Sequence, residues 1–243
     1  MTTVPVLVFA SASDVVSCGD APTGWLSALT VEGWFRVLTI AGGNRPLLAK
    51  YGASGNEWAL YVTSDGRVYF AVYHASGVSV GYTAAGVVTH GPWVHVAGCY
   101  DAGGGHVKVW IDGVDRTQSS RPAAGALAVA DTPQALQIGG VLGDAAWPFV
   151  GRAGWQRVSN VCRYPGTLRM PDGYPAVDGQ TLGQWNLSEG AGSAVDNAEG
   201  TAAYDGAISG AVWGVSVVDD KRLARPAVVR PYGYSWARPI FVG

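Results

Sequence analysis

Period-two alternation of apolar and polar residues, broken by turn dipeptides, constrains this chain more than any other feature. Glu57–Thr63 and Arg67–Tyr73 alternate on either side of Ser64–Asp65–Gly66. Asp-Gly between two such runs marks a tight hairpin, because its central residues take a backbone twist that matches paired strands. Trp93–Asp101 and His106–Asp112 flank the Gly103–Gly105 turn in the same way, and the second run ends in Asp112–Gly113. Leu29–Val37 is strongly β-prone, with Thr30, Glu32, Trp34 and Arg36 on one face and Val31, Gly33, Phe35 and Val37 on the other. Further strands are predicted at Val6–Ala10, Asp14–Ser17, Leu47–Tyr51, Val78–Thr83, Ala135–Gly139, Phe149–Val158, Thr181–Leu187 and Ala207–Val212, with Thr117–Asp131 as a surface loop. No helical period runs for any length. Short strands with regularly spaced turn signals predict an all-β, two-sheet antiparallel sandwich.

Composition agrees. Apolar residues make up 48% of the 243 and charged ones 14%, enough for a sizeable core in one large domain. The 35 glycines and 13 prolines are dispersed, as many tight turns require. A net charge of −2 gives no global attraction to nucleic acid or anionic membrane, and no apolar run reaches membrane-spanning length. The N-terminal residues carry no secretory-signal pattern. Cys18, Cys99 and Cys162 are an odd, widely spaced set, which predicts neither a disulfide scaffold nor a zinc site; Cys99 reads as a small buried hydrophobe.

The order of motifs resembles the laminin G-like and pentraxin-like branch of the concanavalin A-like lectin/glucanase superfamily. The residues that carry the resemblance begin with Thr30–Val31–Glu32–Gly33–Trp34, Leu48–Ala49–Lys50, Trp58–Ala59–Leu60–Tyr61–Val62 and Asp65–Gly66–Arg67–Val68. Trp93–Val94–His95–Val96–Ala97, Val107–Lys108–Val109–Trp110–Ile111–Asp112–Gly113, Gln137–Ile138–Gly139–Gly140 and Gln184–Trp185–Asn186–Leu187 follow in order. The resemblance implies a jelly roll over residues 1–217 and leaves 218–243 as an extended C-terminal arm. It implies no single function.

Candidate chemistry is sparse. Glucanases of this fold set carboxylates on one strand in a Glu-x-Asp-x-x-Glu pattern, and retaining hydrolysis needs two carboxyl groups about 5 Å apart. None of the four glutamates, Glu32, Glu57, Glu189 and Glu199, begins that pattern, so the chain is read as a non-enzyme. His95, inside an apolar strand, reads as a hydrogen-bonded structural residue. Relatives often carry an acidic turn after the first strand; here it reads Ala10–Ser11–Ala12–Ser13–Asp14. Asp14, Asp20 and Asp144 remain as weak calcium candidates, with no other cofactor expected. Sugars stack on aromatic faces beside orienting carboxylates, which selects Trp147, Asp144 and Trp58 as glycan-binding candidates.

From Lys221 onward the chain is basic, with three Arg-Pro steps that favour extended backbone. Arg225, Arg230, Tyr232, Tyr234, Trp236, Arg238 and Phe241 are of the types enriched at interfaces and are read as partner-docking residues. The expectation is a lectin-like binding or structural module that docks through its arm in a virion, as a bacteriophage tail or capsid-surface protein. It would assemble as a homo-oligomer or with other subunits and bind cell-surface glycans, not nucleic acid or membrane. The alternatives are a stand-alone extracellular or surface lectin and a degenerate glucanase.

Overall fold

The computed structural model describes residues 2–218 except Pro22, Ala124, Ala126, 142–146 and 165–172. The chain passes through β1 (Thr2–Phe9), β2 (Val15–Ser17), β3 (Ala28–Val37), β4 (Arg45–Gly52), β5 (Gly55–Val62) and β6 (Val68–His74). It continues through β7 (Gly77–Thr83), β8 (Trp93–Asp101), β9 (His106–Ile111), β10 (Val114–Asp115), β11 (Thr117–Arg121) and β12 (Gln137–Ile138). The last five strands are β13 (Gly151–Ser159), β14 (Thr181–Trp185), β15 (Ala194–Val195), β16 (Gly206–Ser209) and β17 (Val212–Val218). One short 3₁₀ turn, Ala202–Tyr204, is the sole helical element among the described residues.

The strands form two antiparallel sheets, a sandwich of the jelly-roll type. The first runs β10-β9-β8-β3-β13-β1-β17, with β14 also on β13; the second runs β11-β7-β6-β5-β4-β12-β2-β16-β15. A bulge between Ala153 and Gln156 lets β13 pair β1 along its first half and β14 along its second. Side chains at alternate positions, among them Val31, Phe35, Leu60, Phe70, Val96 and Trp185, fill the space between the sheets. Gly98 is needed there: a Cβ would meet the ring of Phe70 from the opposite sheet.

Both faces of β3 are buried, which its alternation alone does not foretell. Thr30, Glu32 and Trp34 point away from the inter-sheet core yet are as inaccessible as Val31 and Phe35. The chain following β13 covers them. The Thr30 hydroxyl donates to the Val161 carbonyl (2.6 Å) and accepts from the Arg163 amide (2.9 Å).

Two sequence expectations are corrected. Thr117–Arg121 is a strand, not loop, pairing with β7 at the sheet edge; its side chains are mostly polar, so no apolar alternation announced it. Cys99 and Cys162 are joined as a disulfide with Cα atoms 5.4 Å apart, and buried Cys18 is left over. An odd count excludes complete pairing but not one staple. Among the described residues no helix is long and apolar enough to cross a membrane.

Candidate functional site

The outer face of the second sheet has a pattern of large and small side chains set by strand register. Ala49 on β4 pairs with Ala59 on β5, Ala59 with Ala71 on β6, and Ala71 with Val80 on β7. Two residues along on one side lie Tyr61, Tyr69 and Tyr82, also direct cross-strand partners. Tyr51 and Tyr73 rise on the other side of the alanines, with ring centroids 5.7 Å apart. The result is a shallow trough between two tyrosine walls whose alanine floor is itself buried, with Val141 packed on Ala49 and Ala59, since period two returns every second side chain to this face.

Trp147 closes the β4 end of the trough. Its indole stacks on Tyr51 (5.5 Å, 16°) and tilts against Tyr61 (5.6 Å, 54°). Tyr61 stacks on Tyr69 (5.4 Å, 10°), and Tyr69 on Tyr82 (4.8 Å, 20°). These rings cover one another's faces, so what meets water is ring edges, phenol hydroxyls and the tilted indole. The walls also lean together. Burial first, then the nearby Tyr73, Tyr69 and Tyr51, push the Tyr61 phenol well above its ordinary range, so the hydroxyl keeps its proton. At the β7 end, Arg121 donates to the Tyr82 hydroxyl (3.0 Å) with its guanidinium 5.5 Å from the ring centroid; that of Arg67 lies at 5.9 Å. All five tyrosines and Trp147 are partly exposed. The trough combines apolar surface with a dense set of phenol hydroxyls and two cations.

Of the residues singled out from sequence, Trp147 lies at this face. Trp58 does not: it is fully buried in the core, its indole N–H donating to the Thr23 hydroxyl (3.0 Å). That corrects its assignment as a glycan platform, because a ring with no exposed face cannot stack on a sugar. Asp144 and the arm residues Arg225, Arg230, Tyr232, Tyr234, Trp236, Arg238 and Phe241 lie outside the described residues. Asp14 accepts hydrogen bonds from the Ala10 amide (2.7 Å), the Ser11 amide (3.1 Å) and the Ser11 hydroxyl (2.5 Å). Asp20 pairs with buried Lys50 (2.6 Å), which also holds Glu57 (2.6 Å). The tyrosines were missed from sequence, although their recurrence at alternate positions of consecutive hairpin strands was the available signal.

A second titratable cluster lies on the outer face of the first sheet. Glu32 Oε1 accepts from Arg157 Nε (2.8 Å) and one terminal nitrogen (2.6 Å), while Oε2 accepts from the Tyr164 hydroxyl (2.6 Å) and lies 3.2 Å from His95 Nε2. Glu32 and His95 have no exposed side-chain surface. With the carboxylate gripped by Arg157 and Tyr164 and wholly buried, the cluster serves to hold Tyr164 and the strand-capping segment down. Burial alone would raise the Glu32 carboxyl, but His95, Arg157 and Tyr164 outweigh it and hold the pKa at about 2.

The family model of the concanavalin A-like lectin/glucanases superfamily matches residues 10–162. The chain belongs to this superfamily. No curated protein matches the sequence. Among solved structures of the lectin/glucanase fold, a Bacteroides ovatus protein named for carbohydrate binding matches with a TM-score of 0.68 at 17% identity, over 90% of this chain and 61% of that one. This chain thus spans about three fifths of that protein's length. The heptameric SAP-like pentraxin of Limulus polyphemus matches with a TM-score of 0.50 at 14% identity, over 65% of this chain and 77% of that one. The CBM40 of Ruminococcus gnavus IT-sialidase, bound to α2,3-sialyllactose, matches with a TM-score of 0.50 at 14% identity, over 67% and 91%. At such identities the likeness is one of fold.

The Glu32 cluster yields a pH prediction. A folded-state pKa near 2 against an ordinary 4.5 stabilises the fold fully above pH 4.5, and that contribution is lost as pH falls from 4.5 towards 2. Glu32→Gln leaves Arg157 buried without its counter-charge and is expected to cost about 3–5 kcal/mol at neutral pH. Urea unfolding of both proteins from pH 7 to 2.5 should show the gap narrowing with acid; a constant gap would remove Glu32 as its source.

Proposed function

We propose that this is a non-catalytic carbohydrate-binding module that takes a glycan along the tyrosine trough. The observation that carries the reading is the row of partly exposed rings from Tyr82 through Tyr69 and Tyr61 to Trp147. A glycan is a hydroxyl-rich chain with apolar C–H faces, and it needs apolar surface interleaved with donors and acceptors. The phenols supply hydroxyls that donate and accept, Arg121 and Arg67 supply fixed donors at one end, and Trp147 offers apolar surface at the other. The carbohydrate-binding names of the Bacteroides and Ruminococcus neighbours support the same reading.

The burial of two carboxylates supports binding without turnover. Glu32 and Glu57 are fully buried in ion pairs. In this reading calcium is not required: Asp14 is engaged by its own turn and Asp20 by Lys50, while Asp144 lies outside the described residues. A glycan array probed with the full chain, with and without calcium, should give a calcium-independent hit. Trp147→Ala and Tyr69→Ala should each weaken the best ligand at least tenfold, while circular dichroism stays unchanged. Trp25, highly exposed at an edge loop with its indole on Asp131, is the control. Loss of binding in Trp25→Ala, with Trp147→Ala unaffected, would move the site off the trough.

We extend the proposal to its setting: a virion component, a bacteriophage tail or capsid-surface protein, whose arm from residue 218 onward docks on another subunit. Support comes from the composition of that arm, where prolines limit the entropy lost on docking and aromatics and arginines suit an interface. Truncation after Asp220 should leave a domain with the same melting temperature that no longer assembles by light scattering. Unfolding would return the arm to the domain's own core, and unchanged assembly would rule it out as the connector.

A further inference from the structure

The disulfide has a third neighbour that a disulfide does not need. Cys99 Sγ, Cys162 Sγ and a ring nitrogen of His106 all lie within 4.8 Å of one another, with His106 Nε2 at 3.9 Å from Cys162 Sγ. Register brings them together. Cys99 on β8 pairs with Lys108 on β9, and two pairs along Asp101 pairs with His106, so Cys99 and His106 are diagonal neighbours on one face. Cys162 arrives from the segment covering that face.

The imidazole is held as a metal-ligating histidine is. Its Nδ1 lies 3.3 Å from the Gly104 carbonyl, so an Nδ1–H donating there leaves the Nε2 lone pair facing the sulfurs. The turn is shaped around the ring: a Cβ on Gly104 would meet the imidazole and the Asp101 carboxylate, which itself accepts from the Gly104 amide (2.8 Å). Cys99 is buried, while Cys162 and His106 are partly exposed, so the cluster opens to solvent on one side. Two thiolates and an imidazole are the donor set of a soft divalent ion, and a tetrahedral zinc would put sulfur and nitrogen about 3.5 Å apart.

We propose that Cys99, Cys162 and His106 are a zinc site that alternates with the disulfide. Two thiols of a reductant give two electrons and two protons to the Cys99–Cys162 bond and become a disulfide themselves. Zinc then displaces the two thiol protons and takes both sulfurs, His106 Nε2 and a water. Either state fastens Cys162 to β8 and so keeps Tyr164 on Glu32. The covering segment is thereby held in reducing compartments, where disulfides do not persist, as well as oxidising ones. This inference is independent of glycan binding.

Cobalt(II) is the probe, because tetrahedral thiolate coordination gives it visible and near-ultraviolet bands. The full chain is reduced with excess dithiol, freed of reductant and titrated anaerobically. One equivalent should develop the thiolate–cobalt spectrum, zinc should displace it, and the oxidised protein should stay silent. Cys162→Ser should lose the spectrum, and His106→Ala should bind at least tenfold more weakly. A folded, reduced protein with both thiols titratable and no such spectrum would overturn the proposal, as would wild-type affinity in His106→Ala. If reduction unfolds the chain, zinc must restore its β-sheet circular dichroism; failure to do so is equally contradictory.

Discussion

The buried Glu32 carboxylate decides which surface of this sandwich is free. Two packed sheets have four faces, and apolar alternation consumes only the inner two. Glu32 would be ruinous on a bare outer face buried by chance, since a carboxylate without partners is not tolerated away from water. Here Arg157 comes from the neighbouring strand, Tyr164 from the covering segment and His95 from the strand on the other side. The satisfied charge requires the cover to stay in place, and the Thr30 hydrogen bonds and the Cys99–Cys162 link fasten the same few residues. With that face capped, the outer face of the second sheet is the one left for the proposed glycan.

That face differs from a merely exposed one in its order. A random solvent-facing sheet surface carries Thr, Lys, Glu and Arg, whereas β4 to β7 present Ala, Tyr and Val in register. Rings that stack on one another lose little further entropy on meeting a ligand, because their rotamers are already fixed by neighbours. Burial pushes the Tyr61 and Tyr73 phenols up, so these two hydroxyls stay protonated and able to donate as well as accept.

The sequence made the fold legible because period two and Asp-Gly turns are local signals. Leu29–Val37, Trp93–Asp101 and the hairpin around Asp65–Gly66 lie in the structure close to where alternation puts them. What was not legible depends on contacts between distant segments. Nothing near Glu32 in sequence announces Arg157 or Tyr164, more than 120 residues away. Nothing near Cys99 announces Cys162, 63 residues on. Trp58 misled for a related reason: an aromatic in a strand is platform or core according to a one-residue phase, and here Thr23, from a distant loop, supplies the partner that lets its indole be buried. The trough itself needed register, since Tyr61, Tyr69 and Tyr82 become a row only when three hairpin strands are aligned.

The central claim is that the tyrosine trough is the ligand-binding face. Nuclear magnetic resonance with ring-labelled tyrosine and tryptophan, following titration with the best glycan from an array, tests it most directly. The account predicts saturable shifts at Tyr51, Tyr61, Tyr69, Tyr82 and Trp147, with Tyr100, Tyr164 and Trp58 unmoved. Saturable shifts confined to Trp25 or to the capped face of the first sheet, with the trough rings silent, would contradict it.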